Sequence, residues 1–102
     1  MVRLLNKHII IDVVIVEKLF PNAAQVCWVY YSSKKTILIA SQFDDHFKSL
    51  HKTSMSMLKY KNKVGDRSIS LEELLIDNKL DDIDRTLEYT ADQNIKILSI
   101  FI

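Results

Sequence analysis

Apolar residues crowd or alternate in several stretches of the chain, and a helical period takes over between them. Residues 8–16, "HIIIDVVIV", are β-branched almost throughout, which predicts a strand that is apolar on both faces. "LFPNAAQ" breaks that run at Pro21 and Asn22. "VCWVYY" (26–31) then puts Val26, Trp28 and Tyr30 on one face and Cys27, Val29 and Tyr31 on the other. "SSKK" (32–35) predicts a hairpin turn and "TILIA" (36–40) its returning strand, so a three-stranded antiparallel meander is expected.

After Ser41 the period changes. Phe43, Phe47, Leu50, Ser54, Met57 and Leu58 recur three and four apart and predict one long helix over about 42–60, with Lys48, Lys52 and Lys59 opposite. Ser41 and Asp44 have capping-box spacing, and Asp44 and Asp45 suit a first helical turn. Ser70 and Glu73 repeat that spacing ahead of Leu71, Leu74 and Leu75, which predicts a short helix over 71–78. Residues 80–94 read either as a helix through Leu80, Ile83, Leu87 and Ala91 or, the preferred reading, as a strand containing "RTLEY". "TADQN" is then a turn, and "IKILSIFI" (95–102) the last strand. The expected class is α+β: a mostly antiparallel sheet with one long amphipathic helix and one short helix, in a single domain over 1–102.

Residues 9–16 and 95–102 are apolar on both faces, and two helices are too few to cover both sides of a sheet. A second copy of the chain is the expected cover, giving a homo-oligomer through a sheet face. A sandwich or barrel that closes on itself is the competing explanation.

Composition narrows the chemistry. One glycine and one proline rule out a Walker loop, a dinucleotide fingerprint and a kinase glycine loop, all of which need several glycines within a few residues. A single cysteine, Cys27, excludes an internal disulfide and a cysteine-rich zinc site, and suits a reducing, cytoplasmic setting. The apolar run at 8–16 carries Asp12 and is too short to span a bilayer, so no membrane partner is expected. Net charge is only +1, but it is divided. Residues 46–67 hold six Lys or Arg and one Asp, whereas 68–94 hold eight Asp or Glu and two bases.

The basic part ends in "KYKNKVGDRS" (59–68). Lys59, Lys61, Lys63 and Arg67 are candidate phosphate contacts for a nucleic-acid partner. The preferred reading is the carboxyl end of a helix closed by Gly65, and charge complementarity between subunits is a third. Elsewhere the ordinary readings prevail. Asp77, Asp81, Asp82 and Asp84 match no calcium-loop spacing and read as solvated surface. His46 and His51, five apart, fall about 140° apart around a helix and read as surface histidines that cannot chelate one metal. Cys27 reads as a small buried hydrophobe, and Trp28 and Tyr30 as core. Asp12, a carboxylate within an apolar run, must face water or find a partner. No catalytic constellation, cofactor or metal site and no small-molecule substrate is identifiable. The expected function is therefore a non-enzymatic binding or assembly module, with a DNA-binding regulator as the alternative.

Residues 64–102, through Gly65, Arg67, Ile69, Leu74, Leu87 and Ile97, resemble the AbrB/MraZ family of swapped-hairpin transcription factors in the order turn, strand, short helix, strand, turn, strand. Asp66 separates the glycine from the arginine, and Ser70 stands where that family usually has proline. The resemblance implies an intertwined dimer whose basic loops read DNA.

Overall fold

A computed structural model describes all 102 residues. The elements run β1 (Val2–Leu5), β2 (His8–Ile11), α1 (Val13–Leu19), β3 (Gln25–Tyr31), β4 (Thr36–Ser41), α2 (Asp45–Leu50), β5 (Ser54–Met57), β6 (Lys59–Tyr60), β7 (Arg67–Ser70), α3 (Glu72–Asp77), β8 (Arg85–Asp92) and β9 (Ile97–Phe101). Strands take 43% of the residues and helices 19%, which corrects the α+β expectation: this is a mainly β fold with three short helices and no long one.

Every pairing is antiparallel, in the order β5-β3-β4-β9-β8-β1-β2-β7-β6. The two ends of that order, β5 and β6, are joined by Leu58 alone, so the sheet curls into a nearly closed barrel. Strand β8 is shared along its length: Arg85–Leu87 pair with β1, and Glu88–Asp92 pair with β9. Val2, Leu4, Ile9, Ile11, Val26, Ile37, Ile39, Ile69, Leu87, Leu98 and Ile100 face inward and, with Ile15, Val16 and Leu19 of α1, fill the interior. A smaller cluster of Cys27, Ala40 and Phe47 lies on the outer side of β3 and β4, where α2 packs.

The strand expected over 8–16 stops at Ile11. Asp12 has become the N-cap of α1, its carboxylate accepting from the Val14 N–H at 3.2 Å. The Val13 N–H donates to Asp66 at 2.8 Å, and Ile15, Val16 and Leu19 fall on one buried stripe. Two carboxylates at the helix start and a stripe into the core outweigh the strand preference of β-branched residues, which is a fraction of a kcal/mol per residue.

The long helix over 42–60 is likewise corrected to six residues. Asp44 caps α2 by accepting from the Phe47 N–H at 2.9 Å, and only Phe47 of the expected stripe is buried within it. Beyond His51 the chain extends, because "SMSM" (54–57) alternates with period two and pairs residue for residue with β3. The meander is corrected as well: β2 pairs with β1 and β7, while β4 joins β3 to β9. Ser70 and Glu73 form no capping box, since α3 begins from Leu71 without a side-chain cap. The β3–β4 hairpin lies where the sequence put it, and two strands do follow residue 84, but the turn between them is 93–96 rather than 90–94, so Thr90, Ala91 and Asp92 belong to β8.

The reason given for an oligomer is reduced. Closure of the barrel, with α1, covers most of the doubly apolar segments from within one chain and leaves Val14, Ile95 and Phe101 exposed.

Candidate functional site

Side-chain alternation across the register sorts the outer surface into rows. Tyr31, Thr36, Phe101 and Glu88 stand directly opposite one another across β3, β4, β9 and β8, all facing out. The next row is Val29, Leu38, Ser99 and Thr90. Thr36 is the low point between two aromatic rings. The result is an open groove of about 450 Å³ with Thr36, Leu38, Ser99 and Thr90 as floor and Tyr31, Phe101, His51 and Lys34 as rim. Tyr31 and Phe101 are 38% and 40% exposed, too much for core residues of this size.

The rim is built rather than loose. The Tyr31 hydroxyl is hydrogen-bonded to Nδ1 of His51, and the His51 ring lies against Phe47 at 4.6 Å between centroids. Phe47 in turn covers Cys27. Burial pushes the Cys27 thiol up from its ordinary pKa, and it donates to the Ser41 carbonyl at 3.3 Å. His51, read from the sequence as a surface histidine, thus joins α2 to β3. Its partner lies twenty residues upstream, and no sequence pattern marks the pair.

The basic segment is arranged differently from a row of phosphate contacts. Asn62 Oδ1 accepts from the backbone N–H groups of Val64, Gly65 and Asp66, which closes a tight loop. The Asp66 carboxylate accepts from Asn62 Nδ2 at 3.0 Å and from Val13 at 2.8 Å, and these bonds hold its pKa below the ordinary carboxylate value. Lys59, Lys61 and Lys63 are exposed and make no ion pair. Lys59 shares the outer face with Ser68, Arg3 and Thr86 through the register. Arg67 does not accompany them. Half-buried, it donates from one guanidinium nitrogen to the Leu58 carbonyl at 2.9 Å and stacks 3.6 Å above the Tyr60 ring, while its Nε has no partner.

The remaining candidates have local roles. Asp12 caps α1 and lies 3.4 Å from the terminal amine. Asp84 accepts from the Asn6 N–H and Asp82 faces Lys7 at 3.9 Å, which ties the 80–84 loop to the β1–β2 turn, while Asp81 accepts from the Ile83 N–H within that loop. No group of three or more His, Cys, Asp or Glu is placed to hold a metal ion. Trp28 donates through Nε1 to Ser56 Oγ at 2.8 Å, at the edge of the interior. No helix is long and apolar enough to cross a membrane.

Set against family models, curated proteins and solved structures, the chain matches none.

Proposed function

We propose that this chain is a non-enzymatic assembly module that dimerises through the outer face of β3, β4, β9 and β8 at the end that α2 leaves uncovered. The observation that carries the proposal is the row Tyr31–Thr36–Phe101–Glu88, which is complementary to itself. Consider a two-fold axis running along the strands between β4 and β9. It lays β9 of one copy over β4 of the other, so each Phe101 descends over the opposite Thr36 and fills the gap between two aromatic rings. The same operation brings the β3 side, with Lys34, over the β8 side, with Glu88. Isologous packing of two sheet faces of this kind is the ordinary way a closed dimer forms.

Sedimentation velocity tests it. Wild type is expected to sediment as a dimer of the 11.9 kDa chain. Phe101→Ser is expected to sediment as a monomer with an unchanged far-UV CD spectrum, since the ring is partly exposed. Lys34→Glu and Glu88→Lys should each weaken the dimer, and together restore it. A chain that stays monomeric up to about 100 μM, which corresponds to roughly 5.5 kcal/mol of association energy, overturns the proposal. The nucleic-acid alternative takes its place if that monomer binds labelled duplex DNA with a steep salt dependence that Lys61→Ala/Lys63→Ala removes.

A further inference from the structure

The barrel is not quite closed, and the gap has a definite chemistry. Strand β5 is paired only with β3, and β7 is paired on its open side only at Arg67 and Ser68, with the two-residue β6. Beyond Ser68 the edges of β5 and β7 face each other with no ladder between them. The phase of each edge is fixed by a single hydrogen bond. Leu58 donates to the Ala24 carbonyl at 2.9 Å, so Leu58, Ser56 and Ser54 bond toward β3, and alternation turns the main-chain groups of Met55 and Met57 toward the gap. Leu71 donates to the Lys7 carbonyl at 2.9 Å, which by the same rule turns the main-chain groups of Ser70 toward the gap. An unpaired edge of this kind is a template for an added strand.

The gap widens into a cleft of about 460 Å³ with Trp28, Ser54 and Ser56 on one side and Leu71 and Leu74 on the other. Glu72, Glu73 and Asp77 stand along its rim, and none of them has an ion-pair partner. At the narrow end, toward Leu58, a second cavity of about 200 Å³ carries His8 and Lys59 instead. The gap is therefore anionic where it is wide and cationic where it is narrow.

We propose that this gap binds an extended peptide segment of a partner protein, laid along the edge of β5, with an arginine side chain in the wide end. Main-chain groups of Met55, at the wide end, pair with the peptide backbone; toward Met57 the two edges close to within 8 Å, too near for a strand between them. The guanidinium lies against the Trp28 indole and is met by the carboxylates of Glu73 and Asp77, an arrangement suited to a planar, multiply donating cation. The site is on a different face from the groove under Phe101, so it does not depend on dimerisation.

Trp28 is the chain's only tryptophan and serves as the reporter. The probe is a capped Thr-Val-Arg-Val-Thr peptide, with Thr-Val-Glu-Val-Thr as its counterpart. The arginine peptide is expected to change Trp28 emission saturably, and the glutamate peptide to bind at least about tenfold more weakly, as loss of charge-assisted hydrogen bonds implies. Met55→Pro removes a donor that faces the gap and spares the β3 ladder, so it should weaken binding while the fold, followed by CD, survives. If that variant does not fold, Glu73→Gln/Asp77→Asn on the exposed rim replaces it, with the same weakening expected. No saturable change at millimolar peptide, equal binding of the two peptides, or unchanged affinity in the folded variant each overturns the proposal. Phe101→Ser should bind the peptide as wild type does, which separates this result from the dimer's.

Discussion

Gly65 shows how one residue can be required twice. Its φ of +113° lies in a region that a residue with a Cβ rarely enters, and a Cβ built there would stand 2.9 Å from Val13 Cγ2. The backbone conformation and the approach to α1 both call for glycine, and the next residue, Asp66, uses that approach to bond Val13. Gly65→Ala is therefore expected to destabilise the protein by about 1–3 kcal/mol from backbone strain, with the clash on Val13 added. Urea denaturation measures the sum. Repeating the substitution in a Val13→Ala background isolates the clash, because removing Cγ2 should return part of the loss. Equal losses in both backgrounds would show that only the backbone matters. The question posed by "KYKNKVGDRS" is answered at this scale: its glycine does not end a helix, but seats a loop against the start of one.

At the scale of elements, a chain with one glycine turns corners with other residues. Asn6, Lys7, Asn22, Lys35, Lys79 and Lys96 all hold positive φ, between 48° and 65°. Asparagine tolerates this conformation, but lysine in the left-handed region bears a cost of roughly 1–2 kcal/mol, of which glycine's greater freedom in the unfolded chain returns about half. Lys35→Gly, Lys79→Gly and Lys96→Gly should each stabilise by about 0.5 kcal/mol, and the triple variant should melt roughly 5–10 °C higher. Differential scanning calorimetry checks this, and a lower melting temperature would mean that these side chains contribute contacts outweighing their strain.

Elements whose partners are near in sequence were legible. The β3–β4 hairpin and the short helix α3 are legible in place, because turn residues and apolar spacing are local signals; the β8–β9 hairpin is legible too, with its turn at 93–96 rather than over "TADQN". The long helix was misread for the opposite reason. Phe43, Leu50 and Met57 sit at helical spacing yet are exposed, and what fixes 54–57 as a strand is its pairing with β3, some thirty residues away. Strand β1 escaped notice because its partners, β2 and β8, are set by closure of the barrel. The groove was half visible. Tyr31 was placed on its strand face, but Phe101 and His51 reach it only through register and a tertiary hydrogen bond.

At the scale of the whole molecule, the two parts of the barrel cannot separate without breaking one strand. Residues 85–87 of β8 complete the sheet that contains β1, β2 and β7, and residues 88–92 complete the one that contains β3, β4 and β9. Two further connections are α1, between β2 and β3, and Leu58, whose N–H bonds to Ala24 on one side and whose carbonyl accepts Arg67 on the other. A single interior cluster of 20 buried residues spans both parts. Loss of either half therefore exposes the other's core, and unfolding should be one transition. Trp28 emission, which reports the β3 side, and far-UV CD, which reports all strands, are expected to give the same urea midpoint. Leu87→Ala lies at the crossover and is nearly buried, so it should lower both midpoints together by about 2–5 kcal/mol of stability. Two separate midpoints, or a shift confined to CD, would show instead that the β3 side holds together alone and that β8 is a junction between independently stable sheets.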